Sequence, residues 1–310
     1  MSQYAMNRLP KLSQLEAFQA VINHGSFRAA AEALNQTQPA LTRSIRELET
    51  TLGVPLLVRG AKGVVLTEMG RVFRPRMQLI LNEIQRATDE IEQIHLSSSG
   101  TVTLGCSYLL SFSILPDVIT KFQNKYPQVN IIMTEGQLSE LLPDLRIGQM
   151  DFFIGIVNPH ISLGSFIEKP LMTSEFCVVA AKDHPLAMCT SLAELKEAKW
   201  YLPKASAGYY SDMNKFVFPN GRGQSSSLMI GDSTILGERL ILNEGYLTIA
   251  PKELLNVPYL KDRLCSIPIK ESFPQGHYSF IHNQHVSLTP MAQRLVNEIF
   301  LAFGETVNLQ

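Results

Sequence analysis

Between Ser26 and Arg59 the apolar residues fall into two short helical runs with a polar break between them. Ala30, Ala33 and Leu34 give the first run a small-residue packing face, and Ser26 is a natural N-cap for it. Asn35-Gln36 breaks the pattern. Thr37 then caps a second helix, with Pro39 in its first turn, where a missing N–H costs little. Leu41, Ile45, Leu48 and Leu52 recur at helical spacing until Gly53, which fits a helix-ending position. The period then changes. Leu56-Leu57-Val58-Arg59 and Val64-Val65-Leu66 flank the turn Gly60-Ala61-Lys62-Gly63, which predicts a small β-hairpin. Thr67 caps a long helix running to about residue 95, where Ser97-Ser98-Ser99-Gly100 reads as a hinge.

The long helix carries Met69, Phe73, Met77, Ile80, Ile84, Ala87, Ile91 and Ile94 at steps of three and four, close to a heptad seam. Such a stripe has to be buried. A second copy of the chain is the simplest partner; packing on the chain's own body is the alternative. No Gly or Pro interrupts the helix after Pro75.

Beyond residue 100, strand and helix signals alternate. Strands are expected at Thr101–Cys106, Asn130–Thr134 and Phe152–Ile156, with helices at Leu115–Tyr126 and Leu138–Ile147. A second set comprises Glu175–Ala181, Leu192–Ala198, Trp200–Leu202, Ser211–Phe218, Ser227–Gly231, Thr234–Asn243, Tyr246–Ala250 and Lys252–Leu255. The first set breaks near Glu168 and returns near Phe273, with a strand at Tyr278–Ile281 and a helix at Pro290–Phe303. This predicts an α/β body of two subdomains with largely parallel sheets, joined by two crossing strands and separated by a cleft. The expected division is a winged helix-turn-helix over 1–67, a linker helix over 68–96, a hinge at 97–100 and a ligand-binding body over 101–310. Subdomain I takes about 101–167 and 272–310, and subdomain II about 168–271.

The exposed positions of the second short helix are Gln38, Thr42, Arg43 and Arg46. Gln matches an adenine edge, Arg a guanine edge or a phosphate, and Thr a phosphate or a thymine methyl. A helix pair followed by a hairpin with Lys62 at its tip is a winged helix, and Lys62 would reach a phosphate or the minor groove. The run Ser26…Ala30…Leu34…Thr37-Gln38-Pro39-Ala40…Thr42…Ile45…Leu48-Glu49…Leu52-Gly53…Leu56…Arg59…Leu66-Thr67…Gly70 resembles the LysR-type transcriptional regulators. The resemblance extends along the whole chain. Within that family the effector half is most similar to the regulators of threonine/serine degradation and of aminobenzoyl-glutamate use. Thr42 stands where the family most often has Ser, and Leu57-Val58 where it has Phe plus a polar residue; both keep the chemistry. The resemblance implies sequence-specific binding to an interrupted inverted repeat of double-stranded DNA. It also implies a small effector in the cleft and a homo-oligomer, a dimer at least and a tetramer in the family pattern, with RNA polymerase as a further candidate partner. The DNA-facing set is then Ser26, Thr37, Gln38, Pro39, Thr42, Arg43, Arg46 and Lys62.

Charge sharpens the division. The chain has a net charge of −1, yet residues 1–76 hold ten Lys/Arg against five Asp/Glu, and the remainder 17 against 23. A basic head on an acidic body suits a head that meets phosphate. The four cysteines, at 106, 177, 189 and 265, form no CxxC pair and no His cluster accompanies them, so neither a zinc site nor a cofactor is expected. Cys106 lies near the expected cleft, which leaves a redox-sensing role open beside that of a small core residue. No signal peptide is legible, and no segment approaches the ~18–20 apolar residues needed to span a bilayer, so a cytoplasmic protein is expected.

In open α/β folds ligands sit at strand carboxyl ends and helix N-termini. That places Ser107 and Tyr108, Gln137 and Ser139, Ser206 and Tyr209, and Ser233 and Thr234 around the cleft. Hydroxyls, amides and free N–H groups there favour an anionic group, a carboxylate above all. Each is also a natural helix cap. The motifs for a nucleophile elbow, a phosphate loop or HExxH are absent, so catalysis is not expected. A solute-binding protein sharing the body is the alternative reading; the winged-helix head and the lack of a signal peptide speak against it.

Overall fold

The computed structural model describes residues 9–60, 63–96, 99–158, 162–204, 210, 216–218 and 223–304. The chain forms two compact units, Met1–Asp89 and Glu90–Gln310.

The first unit opens with a helix the reading above did not include, α1 (Leu12–His24). Leu15, Phe18 and Val21 recur at helical spacing on it and are buried with Ala17 and Ala20. Next come α2 (Phe27–Ala33) and α3 (Gln38–Leu52). The packing face of α2 is Ala30 and Ala31, with Leu34 beyond its end; Ala33, expected inside, faces solvent. Between α2 and α3, Asn35 adopts φ 52°, while Asn35 N–H donates to Glu32 O and Gln36 N–H to Ala31 O. That pair of bonds is a Schellman stop, and Asn tolerates its left-handed residue. Leu41, Ile45 and Leu48 of α3 are buried against α1 and α2. Gly53 closes α3 at φ 74°, a conformation costly for any side chain. Strands β1 (Leu57–Gly60) and β2 (Gly63–Leu66) pair antiparallel to make the wing.

Helix α4 (Glu68–Leu96) is capped by Thr67, whose Oγ1 accepts from Gly70 N–H at 2.9 Å. Its apolar seam splits. Met77 is fully buried, and Phe73 and Leu81 pack on the same core as α1–α3. Met69, Ile80, Ile84 and Ile91 of the seam stay exposed, so part of the stripe packs on the chain's own head and part is left open.

The second unit contains two five-stranded sheets. One has the order β4-β3-β5-β12-β6, from β3 (Ser99–Cys106), β4 (Gln128–Glu135), β5 (Phe152–Val157), β6 (Phe166–Ser174) and β12 (Gly276–Asn283). The other has the order β11-β7-β10-β8-β9, from β7 (Phe176–Ala181), β8 (Lys199–Pro203), β9 (Ser227–Gly231), β10 (Tyr246–Pro251) and β11 (Leu264–Ile267). Helices α5 (Tyr108–Phe112), α6 (Leu115–Lys125), α7 (Leu138–Arg146) and α9 (Pro290–Ala302) accompany the first sheet, and α8 (Thr234–Glu244) the second.

Several expectations are corrected. The sheets are mixed: β4–β3–β5 and β10–β8–β9 are parallel, but β12 and β7 run against both their neighbours. Those two strands enter the middle of each sheet just after the chain has crossed from the other, which reverses their direction. Strand β6 pairs with β12 through Ser174, so the first crossing falls at Ser174–Glu175, later than the expected boundary near residue 168. Ser99 and Gly100, expected as hinge, already pair with Gln128 and Val129. Leu192–Ala198 and Lys252–Leu255 are single 3-10 turns at Leu192–Leu195 and Lys252–Asn256. Strand β11 and helix α5 were not expected. Ser211–Phe218 lies outside the described residues except for its last three. Trp200 is fully buried, its Nε1 donating to Leu195 O and its ring edge-on to Phe218.

Candidate functional site

In the head, the loop after α3 is held by a carboxylate. Glu49 Oε1 accepts from Leu56 N–H at 2.7 Å and Leu57 N–H at 3.1 Å, fixing where β1 begins. The wing is also tied back to the α1–α2 turn: Val64 N–H donates to Gly25 O, and Gly63 lies so close that a Cβ there would fall 2.6 Å from the same oxygen.

Ser26 Oγ accepts from Ala29 N–H and Thr37 Oγ1 from Ala40 N–H, so both expected caps form; Pro39 is in the first turn. Gln38, Arg43 and Arg46 are exposed on α3. Two of the expected DNA-facing side chains have partners within the helix. Thr42 Oγ1 donates to Gln38 O at 2.8 Å, and Arg43 Nε pairs with Glu47 at 2.9 Å. The Arg43 guanidinium holds the Glu47 carboxyl below the usual carboxylate range. Lys62 lies outside the described residues.

In the body, a cavity of about 180 Å³ opens at the carboxyl ends of β3, β4, β8 and β9, between the two sheets. Ile156, Val179, Ile241, Ile249, Leu254 and Leu264 make its apolar wall. Four expected residues line it: Ser107, Tyr108, Gln137 and Thr234. Ser107 Oγ accepts from Ile156 N–H at 3.3 Å, and Gln137 Nε2 donates to Lys204 O at 2.5 Å, bridging the subdomains. Ser233 is outside the lining; its hydroxyl caps α8 by accepting from Leu236 N–H, and its carbonyl accepts from Tyr201 OH at 2.8 Å. Ser139 is outside the lining too, in the first turn of α7. Ser206 and Tyr209 fall outside the described residues.

Missing from the sequence reading were the charged groups of the lining: Glu135, Glu140, Asp232 and Glu238, with Lys204 as the one basic member among the described residues. Glu238 could have been found, since it lies four residues after Thr234 and so on the same face of α8. At the start of α8 the Thr234 hydroxyl meets a carboxylate of the protein itself. Glu135 Oε1 accepts from Thr234 Oγ1 at 2.6 Å, while Oε2 accepts from Ser111 Oγ at 2.6 Å. Burial pushes the Tyr108 hydroxyl up, helped by the charges of Glu238 and Glu135. Burial, with Glu135 nearby, pushes the Cys106 thiol up to about 12. A thiol so held stays protonated and weakly reactive, which favours the core role for Cys106. Among the described residues no cluster of His, Cys, Asp and Glu could hold a metal, and no helix is long and apolar enough to cross a membrane.

A winged helix-turn-helix joined to a two-subdomain body with a polar-rimmed cavity is the layout of a ligand-responsive, DNA-binding transcriptional regulator. Residues 12–71 match the bacterial regulatory helix-turn-helix protein model of the lysR family, and residues 95–301 match the LysR substrate binding domain. The chain belongs to the LysR family of transcriptional regulators. It is similar to the HTH-type transcriptional regulator TdcA of Escherichia coli (strain K12), at 33% identity over 288 residues, 93% of this chain and 92% of that one. Among solved structures, ArgP from Mycobacterium tuberculosis matches with a TM-score of 0.69 at 16% identity, covering 96% of this chain and 98% of that one. Full-length CbnR complexed with its target DNA matches with a TM-score of 0.64 at 19% identity, covering 94% and 99%.

Proposed function

We propose that α3 reads DNA through Gln38, Thr42, Arg43 and Arg46. In this reading Ser26, Thr37 and Pro39 set the helix starts, and Lys62 of the wing adds a phosphate or minor-groove contact. The exposure of Gln38, Arg43 and Arg46 on one helix of a basic head is the observation that carries it. Arg43 would exchange Glu47 for a base edge or phosphate, and Thr42 would turn its hydroxyl from Gln38 O toward a phosphate.

Two copies would pair along the exposed part of α4, through Ile80, Ile84 and Ile91, so that two recognition helices address an interrupted inverted repeat. The cavity of the body would hold a small effector touching Ser107, Tyr108, Gln137 and Thr234, which the protein binds and releases unchanged. Because Gln137–Lys204 and Glu135–Thr234 both cross between the subdomains, a ligand that displaces or strengthens these bonds prefers one subdomain arrangement. Such differential affinity is the requirement for switching.

Footprinting of the full chain on its source's genomic DNA at two salt concentrations tests the head. Sharp protection of interrupted inverted repeats that survives the higher salt is expected. Diffuse binding abolished by salt overturns sequence reading by α3.

A further inference from the structure

The charge of the cavity goes beyond a general effector site, and the inference drawn from it rests on the cleft reading above. Among the described residues four carboxylates line the cavity against one lysine. Among the described residues Glu140, Asp232 and Glu238 form no ion pair, and Glu135 is satisfied by hydroxyls rather than by a cation. At the start of α8 the Thr234 hydroxyl is already engaged by Glu135. An anionic ligand would therefore displace an internal carboxylate and lie among three more. A cation meets the opposite situation, because all four attract it, Glu238 from a half-buried position.

A second, independent observation comes from the inner wall. Thr248, on β10, is only 6% exposed and lines the cavity, and among the described residues its hydroxyl has no hydrogen-bond partner. Val179 and Ala250, its cross-strand partner and next same-face neighbour, also line the cavity and offer no acceptor or donor side chain. The Thr248 hydroxyl therefore opens on the cavity, where it can bond a molecule that enters.

We propose that the effector is a small aliphatic amine, bound as its ammonium ion between Glu135 and Glu238, with its apolar body on Ile156, Val179 and Ile241 and a polar group at its far end bonded to the Thr248 hydroxyl. Any carboxylate on the same molecule would lie toward Lys204, the lone basic member of the lining among the described residues.

The test is calorimetric titration of the full chain with aliphatic primary amines, amino alcohols, amino acids, monocarboxylates and primary amides of three to six carbons. The tightest compound is expected to carry an ammonium group. Its affinity should fall at least tenfold in Glu135→Gln combined with Glu238→Gln, which keeps the hydrogen-bond acceptor for Thr234. Thr248→Val should weaken it severalfold without lowering the melting temperature. Carboxylates or amides binding best, and binding tighter in the double glutamine variant, overturn the amine while leaving the cleft as the effector site if Thr248→Val still weakens them. Amines that bind the double variant and Thr248→Val as well as the parent overturn the amine and the cleft together. Silence from every class overturns the amine; the cleft is then judged by the response of DNA binding to Thr234 substitution.

Discussion

Thr234 at the start of α8 donates its hydroxyl to Glu135 at the end of β4, 2.6 Å away, so one hydrogen bond spans the cleft between two sheets. Both residues line the cavity. If the effector enters as proposed, ligand entry and subdomain arrangement are linked through this pair, because whatever competes for Glu135 also loosens α8 from β4.

Thr234→Val removes the hydroxyl and keeps the shape. The body should lose about 0.5–1.5 kcal/mol, the net worth of one such bond, in urea denaturation of the ligand-free chain. DNA affinity without effector should stay near the parent value while the effector response changes. A response identical to the parent's would take Thr234 out of the site.

Glu49→Ala strips the acceptor from Leu56 N–H and Leu57 N–H. Hydrogen bonds to a charged group contribute about 1.5–3 kcal/mol, so the wing should loosen by an amount of that order. Faster amide hydrogen exchange over residues 57–66 and weaker DNA binding are expected, though Glu49 carries no base-reading role. Exchange equal to the parent's would show that the wing is held without it.

For Arg43, substitution by alanine should relax discrimination at one base pair by about 1–3 kcal/mol if the side chain reads a base edge. Binding to operator variants measures this. An equal loss on every sequence, with a shallower salt dependence, assigns Arg43 to phosphate instead.

Ile84→Glu places a charge on the exposed part of the α4 seam, where it costs the isolated chain little because Ile84 is already open to solvent. Sedimentation should show dissociation to monomers, with DNA affinity falling accordingly. A dimer that persists in both Ile84→Glu and Ile80→Glu moves the pairing surface elsewhere.

His282 is expected to contribute acid sensitivity to the body. Burial, with Lys169 nearby, holds its imidazole below the ordinary histidine range, and its Nδ1 is buried without a partner among the described residues. A lowered folded pKa means that the unfolded chain takes up the proton first, so stability is full above the ordinary histidine pKa of about 6.5 and falls as pH drops below it. The urea midpoint should drop between pH 7.5 and 5.5, and by less in His282→Phe, which can keep the ring contact with Phe280. Equal drops in the two proteins would place the sensitivity on another group.

Local chemistry was legible from residue order alone. The caps Ser26, Thr37 and Thr67, the stop at Asn35, the Gly53 turn and the period of Leu41, Ile45 and Leu48 each depend on neighbours within about four residues, and all of them form. The same holds for Ser227–Gly231 as a strand and for the strand ends that carry Ser107, Gln137 and Thr234. What only the tertiary structure decided involves partners far apart in the chain. The direction of β7 and β12 depends on where the chain crosses between sheets, which periodicity does not record. The α4 seam divides because only part of it meets the head's core. The acidity of the cavity arises because Glu135 and Thr234, 99 residues apart, are brought together with Asp232 and Glu238 at the meeting of two sheets. A carboxylate's position along a chain gives its charge, but the field it makes depends on which other charges folding places beside it.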